Sequence, residues 1–553
     1  MRIRMAIAGI AWVALCGSSG AGSAQPAAPT PVPQAPASAA APAPPPADRI
    51  PLSLHEAIAL GIENNTDVQL VRYDPPIAEY EHAAAWGAHD PRLLGDYTYT
   101  STNLPVASTF FPSQFIERAS EGGAGLLGLV PRLGWVYGIG YEGSGIQTNS
   151  LIQTLGTTYT SSLTANLTAP LLRGAWWGSA WTQVELTGIG SRLALDEFRQ
   201  RLIDIVALIE AGYWNLAARK QELEVAQSSV ATARQLLVRT KAEYDVGVKS
   251  GVDVVEAEAG VANREVEEIR AENFYRRAQD DLINRVYGPR LTPTSRLEIE
   301  PTDQPENYVT FTVDPELSMQ RALERRPELA IAQQQVEQGE IGLKFAKNER
   351  LPQLDLVGSY GTHGLSGNDP NCSFGAALAG TCPVPNPPTQ PVGIGTDYAD
   401  NDDFWFDGND NRVWVGGALF SIPIPNTTAR SNVAIGELEL RKAQTNVRRV
   451  EQEIVMDVRD AVRNMASALE GVEAAERSVA ASKEQLRAEN IRLEHGESTP
   501  FEVLQREEAL SVAESQRITA LQVYHTAVTG LDRAQGTLLE DRGIVLEDAL
   551  PLR

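Results

Sequence analysis

The sequence predicts a mixed α and β protein in which the same order of helices and strands occurs twice along one chain. Three observations predict this class. Motifs of the N-terminal half recur in the C-terminal half. Two very long segments carry apolar side chains at heptad spacing, and shorter segments between them alternate between apolar and hydrophilic residues.

The composition limits the possible functions. The 553 residues include 47 Lys and Arg against 71 Asp and Glu, and the resulting net charge of -24 argues against nucleic acid as a partner. Hydrophobic residues make up 43% of the chain, yet no apolar run reaches the roughly 18 residues of a membrane-spanning helix. A transmembrane β-barrel stays possible, because its strands need only alternate.

The N-terminal segment predicts export. Two arginines, an apolar stretch and small residues form the pattern of a secretory signal peptide over residues 1–24. The Ala/Pro-rich residues 25–47 predict an extended linker. Leu15 precedes Cys16, where a lipoprotein cleavage site has Gly, Ala or Ser, and this argues against lipidation of Cys16.

The remaining cysteines, Cys372 and Cys382, lie close together in a Gly/Pro/Asn-rich stretch. In an exported protein such a pair most simply forms one disulfide, with a metal site as the alternative. No histidine neighbours them, and the 6 histidines form no pair at helical ligand spacing. The sequence therefore predicts neither a metal site nor a cofactor.

An internal duplication divides the chain into two units. At an offset of 261 positions Tyr99 matches Tyr360, and near the end of the units the offset is 249, where Gly247 matches Gly496. The Pro-rich segment between the units cannot continue a helix and predicts an irregular connector. The predicted first unit, connector, second unit and C-terminal tail are residues 48–288, 289–314, 315–540 and 541–553.

Each unit is predicted to contain an incoming helix, strands, a very long helix, a tight turn and a returning helix. The incoming and returning helices together match the length of the long helix, which suggests that they pair along it. Pro75-Pro76 should break the first incoming helix. The predicted helices are 54–88, 181–246 and 252–287, then 315–349, 427–495 and 500–537.

The long helices carry a coiled-coil seam. Apolar residues spaced by threes and fours run from Val447 to Val479. Many of these positions are alanine, so an isolated hairpin buries little area and neighbouring copies of the chain would supply the missing packing. An ordinary antiparallel coiled coil with a solvated acidic face is the alternative.

Four segments alternate with the period of a strand, namely 158–171, 93–100, 354–360 and 413–420. Hydroxyl-rich inner faces and apolar outer faces are typical of a lipid-facing barrel with a wet lumen, and a soluble β-sandwich is the alternative. Four strands cannot close a water-filled barrel, whereas three copies give twelve. Residues 134–145 also alternate and predict a strand extension of unassigned position.

Short motifs occur in or between these elements. They are Asn65-Thr66-Asp67 and Arg326-Pro327-Glu328 in the incoming helices, Leu351-Pro352-Gln353-Leu354 at a strand entry, and Pro170 to Gly174 at a strand exit. Together they resemble the TolC-like outer membrane efflux protein family, over about residues 51–540. Asp90 at the first strand entry and Pro423-Ile424-Pro425 at the second strand exit depart from the family pattern.

The resemblance implies a homotrimer. Its twelve-strand outer membrane β-barrel, with four strands from each chain, would continue into a long periplasmic barrel of helical hairpins. The family serves as the exit duct of tripartite efflux pumps or type I secretion systems of Gram-negative bacteria. The implied partners are outer membrane lipid, a periplasmic adaptor and an inner-membrane pump. A soluble periplasmic coiled-coil adaptor or structural protein is the alternative, which leaves the amphipathic strands without a role.

The resemblance also implies that the adaptor docks at the turns between the long and the returning helices. The residues carried over are Val246, Gly247, Val248, Ser250, Gly496, Ser498 and Thr499. Their chemistry suits tight turns, because each glycine can end a long helix in the left-handed conformation. Ser250 and Thr499 can each cap a returning helix together with an acid three residues later.

An acidic aperture is implied beside the same turns. Glu502 occupies the position of a family carboxylate that rings the closed periplasmic end, with Asp253 as its match in the first unit. Gln505 stands where the family has a further acid. Two interpretations of Glu502 stay open: an acid that caps a helix, and a gate formed by three carboxylates around one axis.

No segment has the spacing of a catalytic motif, so the chain is not predicted to be an enzyme. The clusters Gly247 to Gly251 and Gly140 to Gly145 match neither a nucleophile elbow nor a phosphate loop. The acidic segment Asp397 to Asp410 lacks calcium-loop spacing and predicts a solvated extracellular loop. The net charge predicts a preference for cations in transport.

Overall fold

The computed structural model describes residues 48–105, 114–149, 156–288, 297–310, 312–368, 379 and 411–546. Residues Arg49–Arg553 form one compact unit. The predicted signal peptide and linker, the pair Cys372 and Cys382, and Asp397 to Asp410 lie outside the described residues. None of the helices in the described ranges combines the length and the apolar content of a membrane span.

The first unit follows the predicted order of elements. They are β1 (Asp48–Leu52), α1 (Leu54–Asn64), α2 (Thr66–Val71), α3 (Asp74–Trp86), β2 (Arg92–Pro105), β3 (Gln114–Leu129), β4 (Val136–Thr148), β5 (Thr157–Pro170), α4 (Ser179–Asp245) and α5 (Gly251–Tyr287). The long helix and the returning helix lie within two residues of their predicted bounds.

The second unit repeats the pattern. Its elements are α6 (Pro315–Arg325), α7 (Pro327–Glu349), β7 (Gln353–Asn368), β8 (Arg412–Ser421), α8 (Thr427–Glu494) and α9 (Pro500–Gln535), followed by the short α10 (Leu538–Asp541). The connector was predicted to be irregular, but it contains β6 (Leu297–Pro301), which pairs with β1.

Both incoming helices are interrupted at the polar motif. The Asn65 side chain accepts backbone N–H groups at the start of α2. Pro327 follows Arg326 and begins α7, so the continuous helix predicted over 315–349 is wrong at that point. Proline lacks an N–H but is well suited to a first helical turn, which is also where Pro75-Pro76 lie in α3.

Each long helix is accompanied by two shorter ones, as the lengths predicted. The helix α8 packs against α7 and α9, and α4 packs against α3 and α5. The predicted seam residues are buried at these contacts: Val450, Ile454, Val458, Met465 and Val472. Because α4 also contacts α7 and α9, the two units pack side by side.

The largest core lies where α1, α4, α5 and the β1–β6 pair meet. Its members include Phe198, Leu202, Tyr213, Leu282 and Ile299. The segment after α9 also packs here, because Leu538 and Leu539 belong to the same core. Burial of these side chains therefore fixes the middle of the molecule, between the sheet and the hairpin turns.

The larger sheet contains six strands in the described ranges, in the order β2-β3-β4-β5-β7-β8, and every neighbouring pair is antiparallel. The prediction of four strands per chain is therefore corrected. Residues 134–145 contribute most of β4, a full strand and not an extension. The glycine-rich and charged β3 does not alternate in apolar character, so its strand was not visible in the sequence.

The register separates two faces of this sheet, because residues directly opposite each other in a ladder point to the same side. One row crosses all six strands and is wholly apolar: Leu93, Leu126, Ile139, Ala165, Tyr360 and Trp414. We call the side that carries this row the apolar face. The opposite side carries Thr98, Ser144, Thr160, Ser162 and Asn166, and we call it the hydroxyl face.

Candidate functional site: the helical hairpin tips

Each long helix ends at a glycine in the left-handed region. We call residues 243–253 the first tip and residues 492–502 the second tip. Gly247 has φ of +80° and Gly496 has φ of +76°. The N–H of the residue after the glycine donates to the carbonyl five residues earlier, at 2.8 Å in the first tip and 2.9 Å in the second. This is a Schellman motif, which satisfies the last carbonyls of the helix.

A capping box begins each returning helix, as predicted. In the first tip Asp253 N–H donates to Ser250 Oγ at 3.3 Å, and Ser250 N–H donates to the Asp253 carboxylate at 2.8 Å. Thr499 and Glu502 exchange the same two bonds at 3.4 Å, with Pro500 in the first helical turn. The duplicated turn chemistry therefore gives the two tips the same backbone.

The first tip presents valine side chains to solvent. Val246 is 74% exposed and Val248 is 70% exposed, on either side of Gly247. Ser250 is exposed beside them. The docking residues predicted in the first unit thus form one exposed apolar turn with a polar edge.

The second tip is more polar. Gly496 and Thr499 are exposed, as a docking surface requires. The ring of His495 lies with Nδ1 2.7 Å from the carbonyl oxygen of Ile491, so Nδ1 carries the hydrogen of this bond. The imidazole is thereby held back along its own helix.

Ser498, also predicted as a docking residue, is only 7% exposed. Its hydroxyl lies 2.6 Å from the Glu489 carboxylate and 2.7 Å from the Glu502 carboxylate. A hydroxyl carries one hydrogen, so Ser498 donates to one of the two carboxylates at a time. Its side chain therefore ties the end of α8 to the start of α9 inside the second tip and is not at the surface of this chain.

The predicted aperture residues lie at or just after the caps. Hydrogen bonds from the Ser250 side chain and backbone lower the pKa of Asp253. Hydrogen bonds from the Ser498 side chain and the Thr499 backbone lower the pKa of Glu502, so both acids stay ionised at neutral pH. Gln505 is exposed on the first turns of α9. Glu502 therefore caps α9 in this structure, and its role as a gate stays a prediction.

The returning helices of the two units meet just behind the tips. A Cβ placed on Gly260 of α5 would lie 2.9 Å from the Leu504 side chain of α9. Arg264 of α5 reaches Glu508 of α9 at 3.6 Å. The aperture residues Asp253 and Glu502 therefore stand on adjoining helices.

Sequence reasoning missed two acids of this region. Glu489 is 7% exposed, and its position was visible as an acid in the heptad seam, three residues after Leu486 and four before Leu493. Glu507 lies on α9, where burial raises its pKa to about 7. No sequence signal marked Glu507, because its burial depends on the contact with α5.

The comparison with known families decides the identity of the fold. A sequence model described as "Outer membrane efflux protein" matches residues 127–285 and 318–537, more than half of the chain. The chain belongs to the outer membrane efflux protein family. The two matched ranges each finish within two residues of the end of a returning helix, and the resemblance predicted from the short motifs is confirmed. The prediction that the chain is a transport protein and not an enzyme is confirmed at the level of the family.

Individual members of the family are similar along most of the chain. "Outer membrane protein TolC" of Escherichia coli strain K12 is 24% identical over 430 residues, which cover 76% of this chain and 78% of TolC. The TolC protein of Vibrio cholerae is 22% identical over 367 residues, 66% of this chain and 74% of the relative. Both relatives are outer membrane proteins by name.

Solved structures share the fold at low identity. A membrane protein from Pseudomonas aeruginosa superposes with a TM-score of 0.61 at 16% identity, covering 87% of this chain and 90% of that one. The Campylobacter jejuni CmeC outer membrane channel gives a TM-score of 0.59 at 13% identity, covering 90% of each chain. The predicted mixed α and β class is confirmed by these similarities.

Proposed function

We propose that three copies of this chain form the exit duct of a tripartite efflux pump or type I secretion system in the outer membrane of a Gram-negative bacterium. The observation that carries the proposal is a two-faced antiparallel sheet continued, in one chain, by helices of 67 and 68 residues. At 1.5 Å per residue each helix is about 100 Å long. Such a length suits a tube that leaves the membrane and crosses most of the periplasm.

The two faces of the sheet support a barrel wall. The apolar face carries the row from Leu93 to Trp414, and its members include Leu93 at 81% exposure and Trp414 at 77%. Exposed side chains of this kind are stable against lipid and not against water. The hydroxyl face suits a wet lumen.

The need for sister subunits follows from what one copy leaves uncovered. Among the described residues of a single copy, the edge strands β2 and β8 each have one neighbour in the sheet. Exposed apolar side chains also line the helices: Leu208 and Val238 on α4, Ile269 on α5, and Leu438 and Met456 on α8. A closed homotrimer pairs both edges and covers such surfaces, because a barrel has no free edge.

The predicted domain organisation becomes part of this proposal. The signal peptide would direct export and the linker would follow it. Units 48–288 and 315–540 would each supply strands to the wall and one hairpin to the periplasmic tube. The described parts of the connector 289–314 and of the tail 541–553 would lie at the middle of the tube, because Ile299 of β6 belongs to the main core and Ile544 and Leu546 of the tail pack against it.

The tips would face the periplasmic adaptor, which couples the duct to an inner-membrane pump. The exposed Val246, Gly247, Val248 and Ser250 of the first tip, with Gly496 and Thr499 of the second, would form the docking surface. Three copies of Glu502, with Asp253 and Gln505 beside them, would surround the closed end of the tube.

Membrane extraction and mass measurement test the proposal. We expect the chain to stay in the membrane fraction in high salt, to need detergent for extraction, and to show three times the subunit mass in native mass spectrometry. Extraction by salt as a single copy in plain buffer would indicate the alternative, a soluble coiled-coil adaptor. A photo-crosslinker at Val248 should capture the adaptor, and one at Ser228, exposed on α4 well before the first tip, serves as the control.

A further inference from the structure

The hairpin formed by β3 and β4 is inserted between two strands of the first unit. In the sheet β2 pairs with β3, β3 with β4, and β4 with β5, so β2 and β5 do not pair with each other. A hairpin folded into a lumen or projecting from a rim would leave β2 and β5 as neighbours. Removal of this hairpin from the wall would instead leave both strands without a partner on that side.

The inserted hairpin also continues both faces of the sheet. On β4, Ile139 stands opposite Leu126 of β3 and Ala165 of β5 within the apolar row. On the other side Ser144 stands opposite Thr160 of β5. A pair of strands outside the wall has no reason to keep this alternation in phase with its neighbours.

The two inserted strands are long enough to span a bilayer. Strand β3 has 16 residues and β4 has 13, against 14 in β2 and 14 in β5. A tilted transmembrane strand needs about 9–11 residues. The hairpin therefore crosses the same height of wall as the strands on either side.

The turn between β3 and β4 is held at the helical end of the sheet. Val130 N–H donates to the Trp135 carbonyl at 2.8 Å and closes the turn. The guanidinium of Arg132 lies 5.7 Å from the ring centroid of Trp181, in the first turn of α4. The turn thus stays beside the point where β5 passes into α4.

We infer that β3 and β4 are wall strands, so that each subunit contributes six strands and a trimer of the described residues closes an eighteen-strand barrel. The inference rests on the proposed function and replaces the twelve strands that the family resemblance implies. At a strand spacing near 4.8 Å and a tilt near 40°, twelve strands give a barrel roughly 24 Å across and eighteen give roughly 36 Å. The barrel would then admit wider cargo than a twelve-strand wall.

Single-cysteine spin labelling tests the inference. The protein with Cys372→Ser and Cys382→Ser is the background, and the four variants are Ile139→Cys, Ala165→Cys, Ser144→Cys and Thr160→Cys. The positions form two register pairs, one on each face, with one member in the inserted hairpin and one in β5. Each label in reconstituted trimers is probed with oxygen, which concentrates in lipid, and with a water-soluble nickel complex.

The inference expects lipid exposure at both Ile139 and Ala165 and water exposure at both Ser144 and Thr160. Water exposure at Ile139 with lipid exposure at Ala165 would overturn the inference and leave the proposed duct intact. Water exposure at Ala165 as well would overturn the proposed function itself. Electron microscopy of the unmodified trimer gives an independent result: a barrel near 24 Å across contradicts the inference, whatever the variants do.

Discussion

Apart from the glycine itself and its two chain neighbours, no atom of the described residues lies within 4 Å of a Cβ built on Gly247 or Gly496, so only their positive φ requires glycine. A side chain in the left-handed conformation costs about 1–2 kcal/mol, and a bulky one also alters the docking surface. We expect Gly247→Val with Gly496→Val to abolish export while the trimer persists, as judged by an export assay and native mass spectrometry.

Gly471 is the matched control for this experiment. It is an exposed glycine inside α8, also with open space around its Cα, but in ordinary helical conformation. Gly471→Ala should leave export unchanged and stabilise the helix by about 0.5–1 kcal/mol. Full export by the tip variants would contradict the assignment of the tips as docking sites.

Ser498 supports a second prediction at the scale of single residues. Ser498→Ala removes the hydroxyl that contacts Glu489, a carboxylate with 7% exposure, and a buried acceptor left without its donor costs about 1–3 kcal/mol. Hydrogen exchange should therefore become faster over residues 489–502. Ser250→Ala is the comparison, because it removes a serine hydroxyl from the first tip, where the carboxylate that it contacts belongs to Asp253, which is not buried. If the two substitutions accelerate hydrogen exchange equally in their own tips, the buried Glu489 makes no separate contribution to the stability of the second tip.

These residues show which contacts can be predicted from short sequence patterns. The caps at Ser250 and Thr499 and the glycine turns were predictable, because each depends on residues within six positions of one another. The contact between Ser498 and Glu489 was not, because it joins residues nine positions apart across the turn. It exists only once the turn has brought α8 and α9 together.

At the scale of helices, Glu507 predicts how the packing of α9 depends on pH. Burial raises its folded pKa from 4.5 to about 7, so burial of the charged form is unfavourable. The contribution of the protonated Glu507 to the free energy of unfolding is therefore fully present below about pH 4.5, and it is lost as the pH rises to about 7. We expect Glu507→Gln to increase the free energy of unfolding at pH 8 by on the order of 1 kcal/mol per subunit after solvent screening, which raises Tm, and to have no effect at pH 4.

Thermal unfolding of the detergent-solubilised protein at the two pH values measures this difference. Glu508→Gln is the control, because Glu508 is exposed on the next position of the same helix. A Glu507 variant that is less stable at pH 8 would mean that Arg264 compensates the charge and that burial does not dominate.

The elements themselves were predictable to different degrees. The long helices were found to within two residues, since apolar residues at heptad spacing, as from Val447 to Val479, are a strong signal. The inserted hairpin was missed in part because β3 contains Glu117, Arg118 and Glu121 among glycines. In a wall that is wet on one side, charged residues are compatible with a strand, and only pairing with β2 and β4 shows which face they occupy.

At the scale of the whole molecule, the charges of the sheet are sorted between its faces. Five acids lie on the hydroxyl face, and the register places them there together with Arg92: Asp96, Glu117, Glu121, Glu142 and Asp355. Arg118 and Arg412 lie on the opposite face. In the proposed duct, the preference for cations predicted from the net charge would therefore belong to the lumen and not to the chain as a whole.

Control of the cation preference by the lumen and control by the net charge of the chain predict different effects of substitutions. If the lumen decides, Glu121→Gln with Glu142→Gln should move the reversal potential in a salt gradient toward zero, because a trimer loses six carboxylates from its inner wall. Arg118→Gln should then change nothing, although it makes the chain more acidic. If the net charge of the chain alone set the cation preference, Arg118→Gln would increase that preference. Replacing Glu121 and Glu142 would then have the same effect as replacing any other two acids. An unmodified channel that prefers anions would contradict both, because neither an acidic chain nor an acidic lumen attracts them.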